Sequence, residues 1–295
     1  MIRTILAIIL LNMTQLILAD SHHPGARLMK LTNNSVKAIG VWDVPSAGIV
    51  SRTDSFVAFL SGNSVVSAIG EKDTGAYTAD HAISWTERIM AAYPDLILLV
   101  DVDGFFNLPP EEAVKVANRL EALGAAGVVY DDQEPQNRKP GMTTGKTQIS
   151  LETNKKVLTS VINGRNNQDF VIVARTSDEN QQSAIERVKM YDQVRADIII
   201  AESLNTDGPK LQALASNLKN SRTSVIHISK GSFENIWPGK KYMEENIGLV
   251  IIPDLLSASA MQGMQRALNI AEEMVSALDI YACSSAGNIS ISSSY

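Results

Sequence analysis

Eight short apolar runs recur along the chain, separated by stretches of helical length, and this rhythm constrains the fold more than any other feature. The runs are Val36–Trp42, Phe56–Leu60, Leu96–Val100, Gly127–Tyr130, Phe170–Ala174, Ile198–Ala201, Ser224–Ile228 and Leu249–Ile252. Each is strand-sized, and most are nearly continuous in Val, Ile and Leu rather than alternating. Continuity means burial on both faces, the signature of parallel strands. Helical stretches lie between them at Thr78–Ala92, Pro110–Leu123, Leu151–Ile162, Gln181–Val194 and Pro209–Leu218, with Ser257–Leu278 last and longest. Pro110-Glu111-Glu112 opens one of these with proline in the first turn and acids at the positive end of the helix dipole, and Gly124 closes it. An open doubly wound sheet commonly has about six strands, whereas eight β/α units over roughly 250 residues close a barrel. The expected fold is therefore α/β, a single (β/α)8 TIM barrel over residues 20–282, with a large open sheet as the alternative.

The two ends read differently from this body. Residues 1–19 carry Arg3 as their only charge, then the apolar runs Ile5–Leu11 and Leu16–Ala19, broken by Asn12, Thr14 and Gln15. About 20 uninterrupted apolar residues are needed to span a bilayer, and this stretch falls short. A positive start, an apolar centre and the small Ala19 before Asp20 fit a cleavable secretory signal. The alternatives are a buried helix or a membrane-tethering anchor. A signal would place the protein outside the cell or in the endomembrane lumen; without one it would be cytoplasmic. Residues 283–295 are serine-rich and expected to be disordered.

Charge and cysteine content narrow the function. The net charge of −6 shows no basic excess of the kind a nucleic-acid binder carries. A single cysteine, Cys283, excludes an intrachain disulfide. In a barrel of this kind the active site lies at the carboxyl ends of the strands. The residues there are, in order, Asp43, Ser61-Gly62, Asp101-Val102-Asp103-Gly104, Asp131-Asp132-Gln133, Arg175-Thr176, Glu202, Ser229-Lys230 and Pro253-Asp254. This is an acidic ring with one arginine in it. Convergent carboxylates repel, and a bound hard cation, Mg²⁺ first and Mn²⁺ second, relieves that repulsion through oxygen ligands. Asp101 and Asp103 alternate on one strand, so both side chains turn to one side. Arg175 can clamp a carboxylate or phosphonate through its planar fork. Strand-end acids more commonly serve as helix caps, which is the plainer reading of any one of them.

Taken in order, these segments resemble the isocitrate lyase / phosphoenolpyruvate mutase superfamily. The resemblance rests on Gly40-Val41-Trp42-Asp43, Ser61-Gly62, Ser67-Ala68-Ile69-Gly70 followed by Asp73, Asp101-x-Asp103, Asp131-Asp132-Gln133, Ala174-Arg175-Thr176 and Glu202, and runs from about Arg27 to Leu268. It implies a (β/α)8 barrel whose last helix is exchanged between subunits, giving a homo-oligomer, a dimer or tetramer. It implies Mg²⁺ held by Asp101, Asp103 and Asp131, and a small carboxylate substrate contacted by Phe59, Ser61, Gly62, Asp101, Arg175 and Glu202. Reactions of the family pass through an enolate of a 2-oxo acid, stabilised by the metal. Asp73, on the segment matching a mobile loop, joins the catalytic candidates.

Asp131 is a shorter acid than the family's usual glutamate, the segment Gly104-Phe105-Phe106-Asn107 is about one residue short of the family's, and the largest departure is in a loop. The lyase branch carries Lys-Lys/Arg-Cys-Gly-His after the fourth strand; here the stretch reads Arg138-Lys139-Pro140-Gly141-Met142. Proline has no transferable proton and cannot replace that cysteine acid. The Lys-Thr-Asn-Ser of the mutase branch is absent too. Arg138 and Lys139 are the candidate loop cations that close over substrate. Two functions follow: a Mg²⁺-dependent enzyme cleaving or rearranging a C–C or P–C bond beside a 2-oxo or 2-hydroxy carboxylate, or a catalytically degenerate barrel acting as a binding or structural protein.

Overall fold

The computed structural model describes residues 23–53, 56–141, 143–204, 218–226 and 247–285. The leader read at residues 1–19, the helix expected at Pro209–Leu218 apart from its last residue, and Met142 lie outside the described residues.

Eight parallel strands close into a barrel in sequence order. They are β1 (Val36–Val41), β2 (Phe56–Leu60), β3 (Leu98–Asp101), β4 (Gly127–Asp131), β5 (Val171–Thr176), β6 (Ile198–Ala201), β7 (Arg222–Ile226) and β8 (Ile247–Ile252). β8 pairs with β1, Val36 opposite Leu249, and seals the ring. The sheet is closed and not open, as the count of eight runs implied. Helices follow the expected stretches closely, at Ala79–Ala92, Pro110–Ala122, Leu151–Gly164 and Gln181–Gln193. Gly124 takes φ +96° just past the second of these, the left-handed conformation that ends a helix. Three shorter helices, Pro24–Leu31, Val44–Val50 and Gly62–Ala68, were not foreseen.

Two apolar layers flank the sheet, as the doubly buried strands require. Side chains at alternate positions fill the barrel interior: Ala38, Phe59, Leu99, Val129, Val173, Ile200 and Ile251. The intervening positions, among them Leu98, Val128, Ile172 and Ile199, face the helices. The helix Pro24–Leu31 presses the fully buried Leu28 into the amino end of the interior, against residues that begin the strands, such as Val36 and Ile97. A Cβ at Gly25 would lie 1.8 Å from the Asp169 carbonyl oxygen, so this helix packs at a distance that only glycine permits. Leu99→Ala would open a cavity in the middle of this interior, and is expected to lower the unfolding free energy by about 2–5 kcal/mol, read from the midpoint of urea unfolding.

Contacts within the chain divide it into a barrel unit ending at Leu256 and a second unit beginning at Ser257. The described residues of the second unit are helical, part of a helix that spans Leu255–Ser285. It is longer than the Ser257–Leu278 expected and runs three residues into the stretch read as a disordered tail. Met261, Met264, Leu268, Ile270 and Met274 on this helix are exposed. No helix among the described residues is long and apolar enough to cross a membrane.

Candidate active site

The alternation that fills the interior also builds the site. Two residues beyond each interior side chain the column reaches the carboxyl end of the barrel. Phe59 leads to Ser61, Leu99 to Asp101, Val129 to Asp131, Val173 to Arg175 and Ile200 to Glu202. Apolar columns thus terminate in charged or polar tips with no change of period.

These tips are buried and bonded to one another. Asp101 Oδ2 accepts from the Gly62 amide at 3.3 Å, and its Oδ1 accepts from the Asp103 amide at 3.2 Å. Asp131 accepts from the Ser177 hydroxyl and from Gln133 Nε2, both at 3.2 Å, and faces Arg175 Nη1 at 3.7 Å. Arg175 donates through Nε to Glu202 Oε1 at 2.6 Å and contacts the same oxygen through Nη2. Lys146 Nζ meets the other Glu202 oxygen at 2.9 Å. Arg138, from the loop after β4, reaches into the ring: its Nη2 contacts Asp103 Oδ1, and its Nε lies 3.6 Å from Asp73 Oδ1. Five carboxylates, Asp73, Asp101, Asp103, Asp131 and Glu202, therefore meet three cations, Arg138, Arg175 and Lys146.

Electrostatics follow from that imbalance. Burial pushes Asp103 well above the usual carboxylate range against the pull of Arg138, and Asp101 and Asp73 push it the same way. Burial also raises Asp101, although Arg138 and Arg175 oppose it. Burial works against Asp131 too, but Arg175, Arg138 and Lys146 together hold it below its ordinary value.

A cavity of about 90 Å³ opens at the ring, lined by Phe59, Ser61, Asn63, Asp73, Asp101, Gln133, Arg138, Gly141, Arg175, Pro253 and Asp254. A wider one of about 480 Å³ adjoins it past Asp103 and Arg138, walled by Tyr77, Phe106 and Leu108. The backbone between them is unusual. Asp103, Phe105, Phe106 and Asn107 all have φ between 48° and 58°. Non-glycine residues in this left-handed region are costly, and they concentrate where a site dictates backbone direction.

Most of the foreseen residues come together here, with differences. Lys139 does not enter: its Nζ bonds the Thr144 carbonyl at 3.1 Å on the surface, and only its backbone amide, bonded to Gln133 Oε1 at 2.7 Å, ties the loop to the ring. The Ser61 and Gly62 amides, expected to hold substrate oxygens, are already engaged, Ser61 with the Val41 carbonyl and Gly62 with Asp101. Ser61 Oγ caps the following helix by accepting from Ser64. Glu202 holds Arg175 and Lys146, and Arg175 itself lines the smaller cavity. The three acids expected to share one ion do not close on a common point: among the described residues no three acidic, histidine or cysteine side chains are arranged to hold a metal, and Arg138 contacts Asp103. Lys146 was not anticipated, since a lysine inside Thr143-Thr144-Gly145-Lys146-Thr147 carries no pattern that sets it apart from a solvated one.

Asp132 faces away from the ring. It accepts from the Tyr191 hydroxyl at 2.7 Å, Arg187 Nη1 at 3.0 Å and Asn154 Nδ2 at 3.4 Å, in a buried polar cluster behind the sheet. Burial, and then the Asp131 carboxylate, push it up to about 7, against Arg187.

Fold and site together define a parallel (β/α)8 barrel with a charged, oxygen-rich mouth at its carboxyl end. More narrowly, the chain belongs to the phosphoenolpyruvate phosphomutase family, which it matches over residues 27–272, and so to the isocitrate lyase / phosphoenolpyruvate mutase superfamily. It is 31% identical to the petal death protein of Dianthus caryophyllus over 223 residues, 74% of this chain and 68% of that one. It is 28% identical to the 2-methylisocitrate lyase of Vibrio cholerae over 258 residues, 83% of this chain and 80% of that one. A crystal structure of phosphonopyruvate hydrolase with oxalate and Mg²⁺ shares the fold, with a TM-score of 0.69 at 16% identity over 86% of this chain and 88% of that one. Lyases and mutases among the relatives support an enzymatic activity in general.

Proposed function

We propose that this protein is a Mg²⁺-dependent enzyme that cleaves or rearranges a C–C or P–C bond beside a 2-oxo or 2-hydroxy carboxylate, of the oxaloacetate hydrolase, decarboxylase or phosphonomutase type. The observation that carries this reading is the excess of five buried carboxylates over three cations at the barrel mouth. Acids that outnumber the cations facing them are relieved by a divalent cation, and carboxylate oxygens are the donors a hard ion prefers. Asp101, Asp103 and Asp131 are the residues that would hold it, drawn closer together than in the arrangement described above. The bound ion would supply Lewis-acid stabilisation of negative charge developing on a substrate oxygen. The related phosphonopyruvate hydrolase structure, with its oxalate and Mg²⁺, supports the same pairing of small dianion and metal.

The chain's own groups account for the rest. Glu202 takes two donors of Arg175 and fixes the plane of its guanidinium, so the fork meets a substrate carboxylate in a set orientation. The cavity of about 90 Å³ suits an anion of a few heavy atoms. Pro140 brings no proton to the loop, which favours hydrolysis or decarboxylation over cysteine-dependent lyase chemistry. The test is turnover of oxaloacetate, 2-methylisocitrate and phosphonopyruvate by the purified chain with and without Mg²⁺, alongside its melting curve. Mg²⁺ is expected to raise the melting temperature through mass action and to switch on turnover of one substrate. If millimolar Mg²⁺ and Mn²⁺ both leave the curve unmoved, the metal-dependent reading fails and a binding role for the barrel gains.

We also propose a homo-oligomer. The exposed Met261, Met264, Leu268 and Met274 recur along the final helix at spacings of three to six residues, an apolar surface that a second copy would bury. Light scattering at micromolar concentration is expected to give a dimer or tetramer mass; a purely monomeric mass would refute this.

A further inference from the structure

The larger of the two cavities, about 480 Å³, falls within the ~300–1,000 Å³ that ligand pockets occupy. Gln133 and Arg138 line both cavities, so the two adjoin at those side chains. Part of the larger wall is apolar: the Tyr77 and Phe106 rings meet edge to face, with centroids 5.6 Å apart at 63°, and Leu108 adds to the same wall. Tyr77 is 3% exposed, and among the described residues its hydroxyl has no hydrogen-bond partner. A buried hydroxyl without a partner is costly and uncommon. Its ring packs against Gly62, where a Cβ would lie 2.7 Å from Tyr77 Cδ1. Burial first, then Asp101 and Asp103, raise the phenol well above its ordinary value, so the hydroxyl keeps its proton and can donate it in a hydrogen bond. Among the described residues of this wall the acids are Asp80 and Asp103 and the cation is Arg138. Arg138 is already paired with Asp103, so a second carboxylate here would find no uncommitted positive charge and would face Asp80.

We propose that this cavity is the subsite for an uncharged, oxygen-bearing substituent of the 2-oxo or 2-hydroxy carboxylate substrate, and that the Tyr77 hydroxyl is the donor that selects it. The inference rests on the substrate class read above and does not depend on a metal. The acid head takes the smaller cavity, which Arg175 lines. The carbon of the substituent lies against Phe106 and Leu108, and its oxygen accepts from Tyr77. A wholly apolar chain of the same length would drive water from the hydroxyl and offer it nothing in return, and a charged one would face Asp80. A site built to hydrogen-bond a ligand oxygen rejects the analogue that lacks it, because the site's own buried group is left unpaired. Tyr77 is thus a specificity residue that takes no part in breaking or making bonds.

The probes are 4-hydroxy-2-oxopentanoate, 5-hydroxy-2-oxopentanoate and 2-oxopentanoate, which share the acid head and chain and differ in one hydroxyl. Their binding to the full chain is measured by calorimetry, with and without Mg²⁺. One of the hydroxylated acids is expected to bind about three- to tenfold more tightly than 2-oxopentanoate, the range of one net hydrogen bond. That ratio is expected to fall to near one in Tyr77→Phe. The unliganded Tyr77→Phe should melt at or above the parent, because the hydroxyl removed has no partner among the described residues. A clear drop would assign the hydroxyl to the fold and overturn the proposal. Leu108→Trp, which fills the same cavity, is expected to erase the ratio as well, and serves if Tyr77→Phe folds poorly. A ratio near one in the parent, or one that either variant leaves intact, overturns the proposal, while binding of 2-oxopentanoate keeps the substrate reading standing. Failure of all three acids to bind at millimolar concentration, with or without Mg²⁺, overturns both.

Discussion

Asp101→Asn is expected to lower turnover by about 10²–10³-fold and to abolish most of the stabilisation by Mg²⁺. Asp101 ends β3 at the centre of the ring, and both its oxygens act as acceptors, from the Gly62 and Asp103 amides. An asparagine keeps the shape but turns one acceptor into a donor that faces a backbone N–H. It also removes one of the charges that the ion is proposed to require. The accompanying signature is thermodynamic: without Mg²⁺ the variant should melt a little below the parent, since burial already disfavours the charge that is removed while the amide sets a donor against a backbone N–H. With Mg²⁺ the two should separate further, by the full shift of the parent. A variant that keeps both turnover and the Mg²⁺ shift would remove Asp101 from the site.

The largest effect on stability is expected at Arg187. Its guanidinium pairs with Asp132 at 3.0 Å and Asp178 at 3.2 Å, and donates to the Ile149 carbonyl at 3.0 Å. Arg187→Met leaves Asp132 fully buried with hydrogen-bond donors but no countercharge, and breaking such a pair costs about 3–5 kcal/mol. The pH dependence distinguishes this cause from simple loss of packing. Asp132 titrates near 7 in the folded protein and near 3.9 in an unfolded chain. With the folded value the higher, its contribution to stability is most favourable below about pH 4 and is lost as pH rises towards 7. At pH 5 the folded carboxyl is largely neutral and needs no partner. Denaturant unfolding of Arg187→Met should therefore show the full loss at pH 8 and a smaller one at pH 5. Equal losses at both would mean that the charge of Asp132 is not involved.

The barrel was legible because its strands are buried on both faces, so their composition alone marks them. Part of the order of acids at the strand ends was legible for the same reason: the period of two that faces Leu99 inward also faces Asp101 towards the mouth, but β3 ends at Asp101, and Asp103, expected on the same strand, lies beyond it with φ +48°. Asp132 turns the other way, as alternation from Asp131 requires, but its partners were not legible, because Arg187 and Tyr191 lie on a helix more than 50 residues downstream. Helix Pro24–Leu31 escaped notice because two turns offer too few positions for a periodicity to register. The loop after β4 was the hardest part. Its identity as a departure from the family pattern was plain, yet which of two adjacent cations turns inward was not. Arg138 enters and Lys139 leaves, and no spacing rule separates neighbours in an irregular segment. The engagement of the Gly62 amide by Asp101 likewise depends on a contact across 39 residues.

The helix that seats Leu28 in the amino end of the barrel leaves the opposite end as the way in for a ligand. The chain thus has a polarity relative to any attachment. A tag, fused domain or surface linkage joined ahead of Pro24 meets the stoppered base, with the length of the strands between it and the charged mouth. Immobilisation at a point just ahead of Pro24 should hold the mouth towards solution and leave small-anion access unhindered, which suits sensor-chip or bead-based binding measurements.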